Sequence, residues 1–498
     1  MCCPRSDIAR LAAALVVVSA VAASAAEAPI LEAARQGDAS RVAALVQAGA
    51  DVNARQADGA TSLHWAAYHD DSALAATLVR GGARPGLSDD TGATPLFLAC
   101  MNHSGPMVEL LLGAGADPNA RLLNGETALM TCSRTGDPVA VRALLSRGAD
   151  VNRKEPVHGQ TALMWAAAGG QTQVVALLVG AGADVRARSR AYPQTVTSEV
   201  TQRRGREALN YTVPRGGSTP ILFAARSGDA ESVRVLVAAG ADVNDALPNG
   251  MTALVEAAHS GNEEAAIALL EKGADPNAMG MGYTALHAAV LRSETGLARA
   301  LLAHGANPNL RMTKGTPVRR NSEDFELPAT LIGATPYFLA AKFLEPAIMR
   351  ALAAAGADVR LGMKNGETPL LAAAGMGVSA QTDRRGLSIL DGGRIEDESR
   401  VAETVAVAIA NGADVNETTP AGETPLHAAA VLGYDRVIRQ LAEAGAKVDL
   451  KNACGATPEM IAGRGAAPRS PDRTTLGPRQ STVDLLCALS GGTRPSRD

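Results

Sequence analysis

The sequence predicts an all-α repeat solenoid of about twelve stacked helix-turn-helix units, joined by finger turns and carrying three inserted loops. A Gly-x-Thr phrase recurs, and its threonines follow one another at 32 to 34 residues in seven of ten intervals. A fixed period of this length is typical of stacked repeats. A second phrase, Gly-Ala-Asp or a close variant, closes each unit. The recurring threonines are Thr61, Thr94, Thr127, Thr161, Thr219, Thr252, Thr284, Thr335, Thr368, Thr424 and Thr457.

The composition supports closely packed helices rather than a bulky core. Of 498 residues, 46% are hydrophobic but only 3% are aromatic, so alanine supplies much of the apolar surface. This apolar content and a net charge of −4 exclude an intrinsically disordered chain. A pI near 6.1 also excludes a general affinity for nucleic acid.

The first 26 residues have the pattern of a signal peptide. Arg5 and Arg10 precede an apolar run over 11–23, and small residues follow at 23–26. The run is shorter than the roughly 20 residues of a membrane-spanning helix. We expect cleavage, a mature chain without a membrane span, and a bacterial protein exported to the periplasm or the medium. An uncleaved anchor or a misassigned start is the alternative.

Each element of the unit has a local cause. The Thr suits a helix N-cap, and a Pro directly after it, as at Pro220, suits the first turn. A turn and an amphipathic second helix follow, for example 230–239. The glycine of the closing phrase, Gly240 in this unit, is expected in the left-handed conformation that ends the helix. A single unit cannot bury its apolar face, so neighbouring units must stack.

The opening phrases resemble those of a known family. TSLHWAA from Thr61, TALHAAV from Thr284 and TPLHAAA from Thr424 match the T-P-L-H-x-A phrase of ankyrin repeats. The resemblance predicts a repeat domain over 27–491 with a short tail, 492–498. It implies binding of protein partners, and it implies that His64, His287 and His427 bond backbone between fingers instead of binding a metal.

Insertions interrupt the period and are where we expect function. They lie at about 186–217, 311–333, 379–399 and 463–480, the last being an irregularity before the final helix. The first two lengthen fingers, and we hypothesise that together they border a cleft on the concave face. The third lies between the two helices of one unit and is expected to have a structural role or form a secondary contact.

The first insertion carries seven arginines against two glutamates, and it holds two of the six tyrosines. Arginine and tyrosine are enriched at the energetic centres of protein interfaces. The alternative is a solvated loop without a partner. The predicted contact residues of this insertion are Tyr192, Tyr211, Arg203, Arg204 and Arg206.

A second group of candidates lies four residues after the repeating Thr. Both tryptophans of the protein occupy this position, and TALMWAAAGGQ from Thr161 resembles repeats of ankyrin adaptors that grip extended peptides. The resemblance implies partner contact there; the alternative is packing between neighbouring first helices. The predicted contact residues are Trp65, Leu98, Trp165 and Phe223.

The sequence shows no motif for chemistry. A phosphate-binding glycine loop, a nucleophile elbow and a metal-ligand spacing are all missing, so we expect no catalytic residue, metal or cofactor. Cys100 and Cys132 are interpreted as packing residues, while a bridge between Cys454 and Cys487 is left open.

The predicted function is a non-catalytic interaction module or scaffold of the cell envelope. We expect it to be a monomer that binds a protein or an extended peptide on its concave face, and no nucleic acid. One alternative is a secreted effector that binds host proteins. The other is an enzyme or metal-dependent protein that uses the long loops.

Overall fold

The computed structural model describes residues 28–197, 210–315, 329–376, 389–390, 394–395, 398–464 and 479–491. The predicted signal peptide and tail, and most of the last three insertions, lie outside this part of the chain. Residues 1–123 and 124–498 form two compact units. The boundaries proposed from the sequence stay predictions.

The first unit consists of helix pairs in two layers. The first helix of each pair packs on the first helix of the next pair, α1 on α3 and α3 on α5, and the second helices pack in the same way. The helices are α1 (Pro29–Arg35), α2 (Ala39–Gln47), α3 (Ser62–Tyr68), α4 (Ser72–Arg80), α5 (Pro95–Met101) and α6 (Gly105–Gly113).

The second unit repeats this two-layer arrangement and adds two β-ribbons. The helices on either side of the first insertion still stack, α9 on α11 and α10 on α12. The elements are α7 (Ala128–Thr135), α8 (Pro138–Ser146), α9 (Ala162–Ala168), α10 (Thr172–Gly180), β1 (Tyr192–Thr197), β2 (Asn210–Arg215), α11 (Pro220–Ser227), α12 (Ala230–Ala238), α13 (Ala253–Ser260), α14 (Glu263–Glu271), α15 (Ala285–Leu291), α16 (Thr295–Ala303), α17 (Pro336–Lys342), α18 (Pro346–Ala354), α19 (Pro369–Ala373), β3 (Ile389–Leu390), β4 (Arg394–Ile395), α20 (Glu398–Ala410), α21 (Pro425–Leu432), α22 (Asp435–Glu443), α23 (Pro458–Arg464) and α24 (Gln480–Leu489).

The helix ends follow the predicted local chemistry. Thr161 is extended (φ −105°), and its side chain accepts a hydrogen bond from the backbone N–H of Met164. The second helix of a pair is capped in the same way: the Asp229 side chain at the start of α12 accepts from the backbone N–H of Ser232. Gly240 is left-handed at φ +93°, and a Cβ built there meets no atom within 4 Å. Glycine is therefore needed at this position because of its left-handed backbone conformation, and not because neighbouring atoms would clash with a side chain.

The finger turns are joined by a ladder of asparagine side chains. Asn309 donates from Nδ2 to the carbonyl of Gly356 (3.1 Å) and accepts from the N–H of Asp358 (2.7 Å). Asn152 binds Gly182 and Asp184 with the same geometry. At these repeats the Asn of the closing phrase connects one finger to the next, and where Arg stands in its place, Arg186 and Arg360 donate to the carbonyls of Gly240 and Gly412. The sequence had not indicated this role.

The core is made of small side chains with a few large ones. Ala224 and Ala225 are fully buried in α11, which lets the neighbouring first helices approach closely. Several of the few aromatic residues are also buried: Phe97, Tyr283, Tyr337, Phe338 and Tyr434. In the described part of the chain, no helix has both the length and the hydrophobicity that a membrane crossing requires.

Candidate partner-binding site

The first insertion forms an antiparallel hairpin in the second unit. Strands β1 and β2 pair with Tyr192 opposite Arg215 and Thr197 opposite Asn210. Arg215 donates from Nε to the side-chain oxygen of Gln194 (2.6 Å), which ties the two strands together near their base. The sequence had predicted a long finger here but no strands, because cross-strand pairing joins residues far apart along the chain.

The base of the hairpin is clamped by an arginine. The Arg188 guanidinium donates to the carbonyls of Gly217 (3.0 Å) and Ala246 (3.2 Å) and forms an ion pair with Asp245. Arg311 binds Gly333 and Gly362, both at 2.8 Å, at the base of the second insertion. Arg188, one of the seven arginines of the first insertion, therefore has a structural role.

A cavity of about 490 Å³ lies between this hairpin and the first helices. The hairpin and its base contribute Tyr192, Gln194, Pro214 and Arg215 together with Ser189, Arg190, Gly216 and Ser218. The first helices α11 and α13 contribute Phe223, Arg226, Glu256 and Ser260, and finger turns contribute His158, Gln160, Leu247 and Asn249. The structure thus brings Tyr192 and Phe223, two predicted contact residues, to the same cavity.

The floor of the cavity holds a charged pair beside an aromatic ring. Arg226 donates from Nε to Glu256 Oε1 (2.6 Å), and its guanidinium carbon lies 5.8 Å from the centre of the Phe223 ring. Glu256 is only 5% exposed. Its second oxygen, Oε2, has no hydrogen-bond partner among the described residues. Glu256 was missed from the sequence, although it occupies the same repeat position as Phe223.

Trp165 lies on the preceding first helix and is half-buried. The Arg134 guanidinium lies 5.1 Å from the centre of its ring, and Glu126 lies 3.8 Å from the same guanidinium. The indole N–H is buried and has no hydrogen-bond acceptor in the described part of the chain. Arg134 and Arg226 occupy the same repeat position, and at both places the guanidinium group faces the first helix of the next repeat.

The two remaining candidates on first helices, Trp65 and Leu98, belong to the first unit. Trp65 donates its indole N–H to Gln56 (2.8 Å) and packs edge-on against Tyr68, whose ring centre is 5.7 Å away. Leu98 is half-buried on the adjacent helix. Tyr68 and Met101, which the sequence analysis did not single out, are 58% and 61% exposed.

Four predicted contact residues have no described side chain. Tyr211 lies in β2 opposite Val196, and only its backbone is described. Arg203, Arg204 and Arg206 lie outside the described residues. The predicted cleft shared with the second insertion is not tested, because 316–328 also lie outside.

Models of known families match more than half of the chain. The model described as "Ankyrin repeats (3 copies)" matches 30–122, 107–189, 204–280 and 221–312, and the single ankyrin repeat model matches 421–453. The chain belongs to the ankyrin repeat family. The all-α repeat fold is thereby confirmed, while the number of about twelve ankyrin repeats stays a prediction.

One solved structure with ankyrin repeats is the crystal structure of the human ASB11 ankyrin repeat domain. It is 26% identical, with a TM-score of 0.40, over 50% of this chain and 99% of that one. No curated protein matches the sequence.

The three histidines of the ankyrin phrases have the structural role that the resemblance implied. His287 accepts at Nδ1 from the Thr284 N–H (3.2 Å) and donates from Nε2 to the Ala334 carbonyl (3.4 Å). Complete burial lowers the pKa of His287 to about 4. Burial also lowers the pKa of His64 and of His427. All three rings are therefore neutral at pH 7 and connect neighbouring repeats.

The interpretation of Cys100 and Cys132 as packing residues needs a correction. Both side chains are fully buried, as packing residues would be, but both are disulfide-bonded. Repeat position alone could not distinguish a small apolar side chain from a bridged one. Cys454 and Cys487 are reduced, so the bridge left open between them is not formed. The described residues contain no cluster of side chains that fits a metal ion.

Proposed function

We propose that this protein is a non-catalytic interaction module, a monomer whose hairpin and adjoining first helices bind a protein or an extended peptide. Ankyrin repeats are generally protein–protein interaction modules, which supports the class of function. The observation that carries the site is the cavity between the hairpin and helices α11 and α13. It combines the exposed ring of Tyr192 with the half-buried ring of Phe223 and several arginines.

The side chains around the cavity favour recognition over catalysis. Arg226 and Glu256 form an ion pair, and Ser189 Oγ accepts from the backbone N–H of Ser218 (3.0 Å). Away from the cavity, His64, His287 and His427 are neutral structural groups whose burial disfavours the proton exchange that acid–base catalysis needs. Loop-borne chemistry is the less favoured alternative.

The proposed location is the cell envelope, reached by export. The signal pattern at residues 1–26 supports it, and so does the disulfide-bonded state of Cys100 and Cys132, because disulfides persist in oxidising compartments. N-terminal sequencing of protein recovered from periplasm and medium tests this. A mature N-terminus near residue 27 in the periplasm supports a scaffold of the envelope. Recovery from the medium alone would favour the secreted effector.

Affinity capture tests the binding site. The mature tagged chain is compared with a variant in which 193–214 are replaced by a short Gly-Ser linker, which keeps Arg188 and Ser189 at the base. A matched control has the same linker in place of 316–328. We expect partners held by the full chain and by the control to be lost by the hairpin variant. Identical partner sets for all three would contradict the proposed site.

A further inference from the structure

We propose that the cavity beside the hairpin recognises an acidic peptide segment of the partner. A carboxylate of the segment would bind Arg190 and Arg215, and an N–H group of its backbone would bind Glu256. The inference rests on the proposed function and names the chemistry of its partner.

The three arginines of the cavity differ in whether their charge is already paired. Arg226 is held by Glu256, so its charge is compensated inside the protein. Arg190 and Arg215 form no ion pair within the described residues, although Arg215 uses its Nε for Gln194. The backbone N–H of Arg190 is fixed to the carbonyl of His158 (2.6 Å), which places this arginine at the mouth of the cavity. Two guanidinium groups thus remain for a planar carboxylate, the acceptor that best fits their geometry.

The anionic side of the cavity has an acceptor, Glu256, that lacks one hydrogen-bond donor. Glu256 is buried and uses Oε1 for Arg226, while Oε2 has no donor among the described residues. A buried acceptor left without a hydrogen bond is destabilising, and more so when it is charged. Because Oε2 is covered in the unliganded protein, a ligand reaches it with a movement of neighbouring side chains. The Arg226 side chain beside it is 48% exposed.

The two requirements together select a peptide. A phosphodiester of a nucleic acid backbone brings acceptors for the arginines but no donor on the phosphate for Glu256. The charge of Glu256 repels this group and an inorganic phosphate ion alike. An acidic peptide brings both groups, since every residue other than proline carries a backbone N–H. Tyr192 and Phe223 add aromatic surface for the segment's other side chains.

Selection from a phage library of random nine-residue peptides tests the proposal on the full mature chain. The matched variants are the double substitution Arg190→Gln, Arg215→Gln and the control Arg153→Gln, which changes an exposed arginine of a nearby finger outside the cavity. Circular dichroism checks that each variant is folded. We expect enriched peptides to contain Asp or Glu and to be lost only with the double variant.

The recovered peptide is then measured by fluorescence anisotropy. Replacing its acidic residues by Gln or Asn, or introducing Glu256→Gln in the protein, is expected to weaken binding about tenfold each, as for loss of one charged hydrogen bond. Inorganic phosphate at the same ionic strength should not compete. The proposal is overturned if no acidic peptide is enriched, if the double variant binds equally well, or if phosphate displaces the peptide. In those cases the proposed function would still be supported if, in the affinity capture, partners were held by the full chain and lost by the hairpin variant.

Discussion

His287 makes the stability of the second unit depend on pH. The ring is fully buried, and its pKa falls from 6.5 to about 4 in the folded protein. The unfolded chain therefore binds a proton between these values that the folded chain does not, so stability decreases as the pH falls. The whole effect is about 3 kcal/mol, and about 2 kcal/mol of it is lost between pH 7 and pH 5.

Urea unfolding followed by circular dichroism measures this effect at pH 7 and pH 5. His287→Asn removes the titrating ring, and we expect the variant to lose less stability on acidification than the wild type by about 2 kcal/mol. His304→Asn, at an exposed position at the end of α16, is the matched control and should keep the wild-type pH dependence. An unchanged pH dependence in His287→Asn would show that the burial of His287 does not make stability depend on pH.

Three further predictions concern the clamp, the glycine cap and the aromatic position. Arg188→Ala removes two carbonyl contacts and an ion pair. We expect the free energy of unfolding to fall by about 2 kcal/mol and hydrogen exchange in β1, measured by mass spectrometry, to become faster. Gly240→Val forces a left-handed branched residue and should cost about 2 kcal/mol in urea unfolding, whereas Gly240→Asn should cost less. Trp165→Ala should weaken partner binding by about 2 kcal/mol in calorimetry; a loss of stability with unchanged binding would assign it to packing alone.

The helices could be predicted from the sequence because their ends are determined locally. The expected second helix at 230–239 is observed as Ala230–Ala238, between an aspartate cap and a left-handed glycine. The capping role of Thr284 and the backbone contact of His287 followed from the family phrase in the same way. Each of these features depends on residues within one repeat or its direct neighbour.

The site could be predicted only in part, because it depends on contacts across insertions. Arg188 looked like one of several arginines in a loop, but its partners Asp245 and Ala246 are nearly 60 residues away. Glu256 was not a candidate, because its pairing with Arg226 joins side chains 30 residues apart. A signal did exist: Arg134 and Arg226 both lie seven residues after the repeating Thr, and each contacts a side chain of the next repeat, Trp165 and Glu256 respectively.

Photo-crosslinking from inside the cavity tests whether a partner binds between the hairpin and the first helices. A photoreactive phenylalanine analogue replaces Phe223 in the cavity or, as control, exposed Arg142 on the second helix α8, and the mature protein is irradiated in envelope extract. We expect a crosslinked protein partner at position 223 and none at position 142. Equal crosslinking at both positions, or crosslinking only at 142, would contradict a binding site between the hairpin and the first helices.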